Sequence, residues 1–226
     1  MTVTQTTWGA DAALHLQSCS DQIMVSLATT LPPISLQLDS HYFARLLDSV
    51  VGQQISGRAA EAIRARVYAL LGQPPTPPAL AAAPDDGLRA CGLSQGKIRA
   101  LRDLAERCLD GRLNLAALPH LSDAEVAEQL VAVRGIGPWT AHMFLMFGLG
   151  RPDILPVGDY GVRAAARRAY NLPDLPTPAQ LHALATPWRP YASAASFYLW
   201  RSLAAGPTTN SAITFDPLHT VTEPSP

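Results

Sequence analysis

Apolar residues recur along most of this chain at intervals of three and four, the spacing of an amphipathic helix, and proline and glycine separate the repeats. The pattern predicts helices over about 39–51, 57–71, 84–91 and 94–111. It continues with a helix that opens at the capping box Ser122-Asp123-Ala124-Glu125, and with helices over about 138–149, 158–170, 177–185 and 190–205. A possible strand is confined to Ile34–Leu38. The fold class is therefore predicted to be all-α.

Individual residues predict where several of these helices begin and end. Asp39 is expected to cap the first helix and Ser94 the fourth, since both side chains accept hydrogen bonds from free helical amides. Gly72 is expected to end the second helix. From Gly206 onward the chain is rich in threonine, proline and serine, which predicts a disordered tail over 206–226.

The segment from Leu130 to Asp159 is the most informative part of the chain. Within it, Gly135-Ile136-Gly137-Pro138 lies between two apolar helical patterns, and both glycines are expected to adopt φ values that other residues avoid. Pro138 suits a first helical position, so the second helix should begin there. Unpaired amides at that end, aided by the helix dipole, can bind an anion. The sequence thus predicts a helix–hairpin–helix that binds a nucleic-acid phosphate.

Composition narrows the class of protein. The 226 residues, 48% hydrophobic and 15% charged, suit an ordinary globular protein of one or two small domains. No apolar run approaches the roughly eighteen residues of a spanning helix, and the N-terminus lacks the pattern of a signal peptide. Three distant cysteines, Cys19, Cys91 and Cys108, provide neither a disulfide framework nor the spacing of metal ligands. An intracellular protein is expected.

Charge is distributed unevenly. The net charge of −1 argues against a general electrostatic DNA binder. Within residues 130–170, however, five arginines stand against only two aspartates, a local charge of +3. Sixteen of the seventeen basic residues are arginine, and we attribute that bias to a GC-rich genome rather than to function.

These motifs resemble those of the helix–hairpin–helix DNA glycosylase superfamily. The hairpin Gly135–Ala141 and the segment Leu155–Tyr160 carry the resemblance, and three further segments match in order: Val51–Ser56, Cys91–Leu101 and Trp188–Arg201. Within the superfamily the sequence is most similar to the alkylation-repair branch, the bacterial 3-methyladenine DNA glycosylase II. The matching region covers roughly residues 35–205.

The resemblance implies a two-lobed helical glycosylase fold with an active-site cleft between the lobes. It would form one unit over residues 1–205, with two subdomains and the hairpin at about 122–149. Fuller members carry an N-terminal β-domain, for which the residues before about 35 are too few. The expected setting is a monomer in the bacterial cytoplasm, associated with the nucleoid through damaged double-stranded DNA and independent of membranes.

Asp159 is the candidate catalytic residue. It follows Trp139 by twenty residues and begins a predicted helix, where its role could be only that of a cap. The resemblance favours catalysis, because breaking an N-glycosidic bond develops positive charge on the sugar that a carboxylate stabilises. The two roles are compatible. Asp153 is the rival acid, and a polar turn after Arg151-Pro152 accounts for it.

The base pocket is expected to contain Trp139, Tyr160 and Trp200, with Met143 where better-known relatives place a tyrosine. Aromatic faces suit the positively charged, alkylated purines, whereas burial in the helical core is the alternative for such residues. Trp139 also stands where bifunctional relatives have a nucleophilic lysine, and the only lysine in the chain is Lys97. The resemblance therefore implies a monofunctional enzyme that uses water as the nucleophile.

Contacts with DNA are expected in the matching segments. Gln54 aligns with the wedge that fills the space left by the flipped base, although a solvated loop is equally compatible with its sequence. The other predicted DNA contacts are Gln53, Ser56, Arg134, Gly135, Gly137 and Thr140. The resemblance also places a monovalent cation on the backbone carbonyls of Val131, Val133 and Ile136. No iron–sulfur cluster or other cofactor is expected, since the closely spaced cysteines are missing.

The leading prediction is a monofunctional DNA glycosylase that removes alkylated bases in base-excision repair. A non-catalytic helix–hairpin–helix protein that binds distorted DNA is the first alternative, and it would need neither Asp159 nor the aromatic positions. A glycosylase for mismatched or oxidised bases is the second, and the missing lysine and cluster argue against it.

Overall fold

The computed structural model describes residues 4–204, and nearly all of its regular structure is helical, as predicted. Two short strands, β1 Thr4–Gln5 and β2 Gln37–Leu38, pair antiparallel, with Thr4 opposite Leu38. The helices are α1 Gly9–Ser18, α2 Gln22–Thr30, α3 Tyr42–Gly52, α4 Gly57–Leu71, α5 Pro77–Ala82, α6 Asp85–Ala90, α7 Gln95–Leu109, α8 Asp123–Val131, α9 Pro138–Met143, α10 Tyr160–Ala169, α11 Pro178–Leu184 and α12 Ala192–Ala204. Short 3₁₀ turns occur at Leu118–His120 and Thr186–Trp188.

The described residues form two compact units, one of residues 4–38 with 149–204 and one of Asp39–Gly148. In the first unit, α12 packs against α1, α2 and α10. Its first turn carries the small, fully buried residues Ala192, Ser193 and Ala195. Helix axes approach more closely where the side chains between them are small, so α12 can contact several neighbours at once.

Asp21 connects the first unit's N-terminal helices to the rest of that unit. Its Oδ1 accepts the backbone N–H groups of Ile23 and Met24 and so caps α2. Its Oδ2 accepts the indole N–H of the fully buried Trp188 over 2.8 Å and the hydroxyl of Tyr170. Burial raises the pKa of Tyr170, and the bond to Asp21 raises it further, so the phenol remains a donor.

In the second unit, α3 packs against α4 and α7, α5 packs against α7, and α8 packs against α9. Leu101 and Leu104 of α7 are fully buried. Ser94 Oγ accepts the N–H of Lys97 over 3.3 Å and begins α7, as predicted. After α9 the chain continues as a wider π-helical turn at Phe144–Gly148, so the helix predicted over 138–149 is in fact two segments.

The pattern also missed some features. Asp39 does not cap α3: its Oδ1 accepts the N–H of His41, while its carboxylate forms an ion pair with Arg45 at 2.8 Å. Helices α1, α2 and α5 were not predicted. No helix within residues 4–204 is long and apolar enough to cross a membrane. The tail predicted over 206–226 lies outside the described residues.

Candidate active site

Asp159 occupies the N-cap position of α10 in the first unit. The chain reaches it through a turn in which its own N–H donates to Pro156 O over 2.8 Å. Its Oδ1 accepts the N–H of Val162 over 2.7 Å, which closes the first turn of the helix. The residue is only 8% exposed. The capping role is therefore real, and the carboxylate is held at the end of a helix whose dipole favours negative charge.

Trp200 of α12 donates its indole N–H to the same atom, Asp159 Oδ1, over 2.8 Å. The indole is buried, and its ring meets that of Phe197 edge to face at a centroid distance of 5.6 Å. Two hydrogen bonds to one oxygen, one from each of two helices, fix the orientation of the carboxylate. Trp200, expected as a face of the base pocket, is thus a direct partner of the acid.

Gly161 is a site residue that sequence reasoning missed. A Cβ at this position would lie 2.9 Å from Trp200 Nε1 and 3.1 Å from Asp159 Oδ1, closer than side chains pack. Glycine allows α10 to approach the Trp200 indole. A signal was available, because glycine in the first turn of a helix costs stability relative to alanine and needs a packing reason.

Two other predicted residues of this unit lie near Asp159 in sequence. Tyr160 begins α10 and is half-buried. The rival acid Asp153 has a structural task, since its Oδ1 accepts the N–H of Ala192 at the start of α12 and its Oδ2 pairs with Arg189 at 2.6 Å. This pairing agrees with the interpretation of Asp153 as part of a polar turn.

The hairpin lies in the second unit, between α8 and α9. The capping box at Ser122 and Glu125 begins α8, as predicted. Ile136 N–H donates to Val133 O over 3.1 Å, and Pro138 takes the first turn of α9. Gly135 has φ +76°, in the left-handed region, and a Cβ there would lie 3.0 Å from Ala100 Cβ.

Gly137 corrects one expectation. Its φ is −96°, which any residue adopts, and a Cβ there would meet nothing within 4 Å. The turn itself therefore requires glycine at 135 and not at 137. The space beside Gly137 leaves its backbone accessible to a ligand, and the exposed Arg134 stands close by in the chain.

The turn of residues 53–56, between α3 and α4, contains the predicted wedge. Gln54 is exposed and has φ +56°, and Ser56 caps α4 by accepting the N–H of Ala59 over 3.4 Å. Gln53 instead donates its side-chain amide to Gly135 O over 2.9 Å, with Thr140 Oγ1 3.5 Å away. Thr140 is 3% exposed. The side chains of Gln53 and Thr140 thus contact the hairpin and each other within the protein, and their contacts with DNA stay a prediction.

Trp139 and Met143 both lie on α9 of the second unit, Trp139 half-buried and Met143 buried. The sole lysine, Lys97, donates its Nζ to Val51 O over 2.7 Å, at the end of α3. Lys97 therefore has a defined structural partner, and burial lowers the pKa of its amine. On α9, burial likewise lowers the pKa of the His142 imidazole.

Within residues 4–204 there is no group of three or more His, Cys, Asp or Glu side chains that could hold a metal ion. The cation expected at the hairpin would need backbone oxygens instead. Val133 O already accepts one hydrogen bond but retains a second lone pair, and carbonyl oxygens suit hard cations. Val133 O can therefore still accept such an ion, and the cation on Val131, Val133 and Ile136 stays a prediction.

The hairpin and the buried aspartate that accepts two hydrogen bonds point to one class of protein. A family model described as HhH-GPD superfamily base excision DNA repair protein matches residues 47–190, which include both features. The chain belongs to the HhH-GPD superfamily of base excision DNA repair proteins, which confirms the resemblance drawn from its motifs.

Individual relatives refine this membership. The chain is 31% identical over 196 residues to DNA-3-methyladenine glycosylase 1 of Schizosaccharomyces pombe, covering 84% of this chain and 86% of that protein. It is 34% identical over 175 residues to YfjP of Bacillus subtilis, covering 74% of this chain but only 61% of that protein's length. A solved structure of the S. pombe 3-methyladenine DNA glycosylase Mag1 in complex with abasic DNA matches with a TM-score of 0.77 at 29% identity, covering 88% of this chain and 100% of that one. The fold is that of the helix–hairpin–helix glycosylases.

Proposed function

We propose that this protein is a monofunctional DNA glycosylase that hydrolyses the N-glycosidic bond of alkylated bases in damaged double-stranded DNA. The observation that carries the proposal is Asp159, buried and held through Oδ1 by Val162 N–H and Trp200 Nε1–H. Family membership and relatives named 3-methyladenine DNA glycosylases support it. We further propose that the protein acts as a monomer, in the bacterial cytoplasm.

The proposed reaction assigns each group a defined task. The backbone N–H groups of Gly135 and Gly137 and the side chain of Arg134 bind a phosphate, and Gln54 occupies the gap in the stack after the base has flipped. As the bond from the sugar to the base breaks, its electron pair leaves with the base, and Asp159 stabilises the positive charge on the sugar. The cationic base departs neutral, and water adds to the anomeric carbon and releases its proton to the solvent. Trp139, Tyr160 and Met143 are the proposed contacts of the flipped base, and a monovalent cation on the hairpin carbonyls remains part of the proposal.

A scaffold that only recognises distorted DNA is the alternative. A scaffold would not require an acid at the N-cap of α10, because serine or asparagine caps a helix as well. A relative named DNA-3-methyladenine glycosylase 1, matched over 86% of its length, favours the enzyme.

An excision panel tests the proposal. Duplexes that contain one 3-methyladenine, 7-methylguanine, ethenoadenine, hypoxanthine or 8-oxoguanine are incubated with the protein, and strand breaks are measured with and without alkali. We expect release of methylated purines, breaks only after alkali, and no adduct when borohydride is present. Release of none of these bases by folded protein would rule out the proposal, and a trapped adduct would rule out its monofunctional part.

A further inference from the structure

Two bends of the second unit carry most of the residues expected to meet DNA, and one side chain joins them. We call residues 53–56 the wedge turn. In this subsection the hairpin means its turn, residues 132–137 between α8 and α9. Gln53 belongs to the wedge turn, and its Nε2 donates to Gly135 O of the hairpin over 2.9 Å. The two residues are 82 positions apart in the chain, so this bond is a tertiary link and not part of a local turn.

Consecutive residues of the wedge turn face different surroundings. Gln53 ends α3, where its own N–H reaches Val50 O at 3.4 Å, and its side chain contacts the hairpin. Gln54, the next residue, is exposed and adopts the left-handed conformation with φ +56°. A residue in that conformation depends on its neighbours to hold it, because few side chains favour it. Gln53 supplies one such constraint directly beside it.

Helix α7 contacts both bends as well. Lys97 Nζ donates to Val51 O over 2.7 Å, which fixes the last turn of α3 just before the wedge turn. Asp103 Oδ2 accepts the hairpin N–H of Arg134 over 2.7 Å. Ala100 packs against the hairpin so closely that its Cβ would lie 3.0 Å from a Cβ at Gly135. These three α7 residues are spaced three apart and share one face of the helix.

Asp103 is suited to this task. Partial burial by itself would raise the pKa of Asp103, but hydrogen bonds from Arg134 N–H and Arg107 lower it below its ordinary range. The carboxylate is therefore ionised at neutral pH and holds the hairpin through a charge-assisted bond. The hairpin and the end of α3 are thus fixed to a common helix, and Gln53 joins them directly.

We propose that Gln53 is a positioning residue that couples the wedge turn to the hairpin, so that a phosphate bound at the hairpin fixes where Gln54 enters the duplex. The proposal rests on the function proposed above, in which Gln54 is the wedge. In this proposal Gln53 acts through Gln54, since its Nε2 holds the hairpin at Gly135 O. A chain with an intact hairpin and an intact Gln54 would then still flip bases poorly once this bond is lost.

The first test concerns the protein without DNA. Gln53→Met keeps the length of the side chain and removes its donor, and Gln54→Met makes the same change one residue later. Hydrogen exchange is measured for the amides of residues 53–56, for Ile136, and for Leu101 in the core as a reference. We expect Gln53→Met to speed exchange at both bends and not at Leu101, and Gln54→Met to leave Ile136 unchanged. Unchanged exchange at Ile136 in Gln53→Met would overturn the coupling.

The second test concerns wedge insertion. Affinity is measured for an intact duplex and for a duplex with an uncleavable abasic analogue, with 2-aminopurine beside the analogue to report unstacking. Gln53→Met should weaken binding to the analogue roughly fivefold or more and leave binding to the intact duplex nearly unchanged. In a Gln54→Ala background the same change should have almost no effect, because there is no wedge left to position. An additive effect would show that Gln53 acts on DNA directly and would overturn the proposal.

The two tests separate this inference from the proposed function. If the parent protein neither distinguishes the abasic analogue nor excises methylated purines, the function fails, and the exchange measurement still decides whether Gln53 couples the two bends. If the parent does both and Gln53→Met behaves as the parent does, the function stands and the positioning role is wrong.

Discussion

Trp200 donates its indole N–H to Asp159 Oδ1 over 2.8 Å, and the same oxygen caps α10 through Val162 N–H. One carboxylate oxygen therefore serves a helix end and a buried tryptophan at once. The alternatives considered for Asp159 in the sequence, cap or catalyst, are not exclusive, because the cap is one of the contacts that orient the acid.

Asp159→Asn should keep the fold and lose activity. The amide oxygen can still accept from both Val162 N–H and Trp200 Nε1–H, so the melting temperature should change little. Losing a preorganised charge opposite a developing cation typically costs about a hundredfold or more in rate. Single-turnover excision of 7-methylguanine measures this effect. Asp153→Asn is the matched control, since it also removes one charge and can still cap α12, and excision within a few-fold of the parent is expected. Near-parental excision by Asp159→Asn would make Asp159 a helix cap only.

Trp200→Phe removes the indole N–H donor and keeps an aromatic ring, so it distinguishes the contributions of the two. The ring can remain packed on Phe197, whereas the bond to Asp159 Oδ1 is lost. A hydrogen bond to a charged group contributes about 1.5–3 kcal/mol, so we expect at least roughly a tenfold fall in the single-turnover rate. Affinity for the abasic analogue should remain close to that of the parent. If affinity falls and the rate does not, Trp200 contacts the base or the DNA and does not orient the acid.

The two hairpin glycines should respond differently to alanine. Gly135→Ala places a side chain at φ +76° and against Ala100 Cβ, which should lower the free energy of unfolding by about 1–3 kcal/mol. Gly137→Ala should leave stability unchanged, because its φ is ordinary and the space beside it is open. It should nevertheless weaken binding to damaged and intact duplexes alike, since a phosphate contact carries no sequence or lesion information. Thermal melts and binding curves on both variants check this, and equal stabilities would contradict it.

Asp21→Ala should be strongly destabilising although it is far from any predicted site residue in sequence. It removes the cap of α2 and leaves the donors of Trp188 and Tyr170 without their acceptor. Together these losses should cost about 2–4 kcal/mol, measured by urea unfolding. Asp11→Ala, at an exposed position in the first turn of α1, is the control and should change stability by less than about 0.5 kcal/mol. A small effect at Asp21 would mean that water replaces the carboxylate.

Stability should fall at mildly acidic pH because of His142. Burial lowers its pKa below the ordinary value of 6.5, so the unfolded chain binds the proton more readily than the folded chain. Between the two pKa values the unfolded state therefore holds more protons, and the free energy of unfolding decreases as pH falls below about 6.5. His142→Gln cannot titrate there, and its stability should depend less on pH between 5 and 7. If the free energy of unfolding depends on pH equally in both proteins, groups other than His142 cause that dependence.

Local features of this fold were predictable from the sequence, and long-range ones were not. The capping residues Ser94, Ser122 and Asp159 sit at the starts of α7, α8 and α10, because a cap is a bond between residues two or three apart. Asp39 is not the cap because α3 begins three residues later, at Tyr42, and its carboxylate accepts from His41 N–H and pairs with Arg45. Sequence pattern located the helix but not its first residue.

The candidate site shows the same difference between local features, which the sequence predicted, and long-range ones, which it did not. The sequence located Asp159 and the hairpin through motifs that are continuous in the chain. It could not give the bond from Gln53 to Gly135 or the bond from Trp200 to Asp159, which join residues 82 and 41 positions apart. Gln53 and Thr140 were therefore assigned to DNA on the basis of their motifs, and only the tertiary contacts showed that their side chains bond within the protein.

The left-handed conformation of Gln54 limits what evolution could place at this position. A valine or isoleucine would be disfavoured there, because a β-branched side chain is strained at φ +56°. Side chains that are not branched at Cβ, such as those of glutamine, asparagine, leucine and methionine, carry less of that penalty. The backbone of one short turn thus disfavours β-branched side chains at this position, whichever contact the residue there has to make.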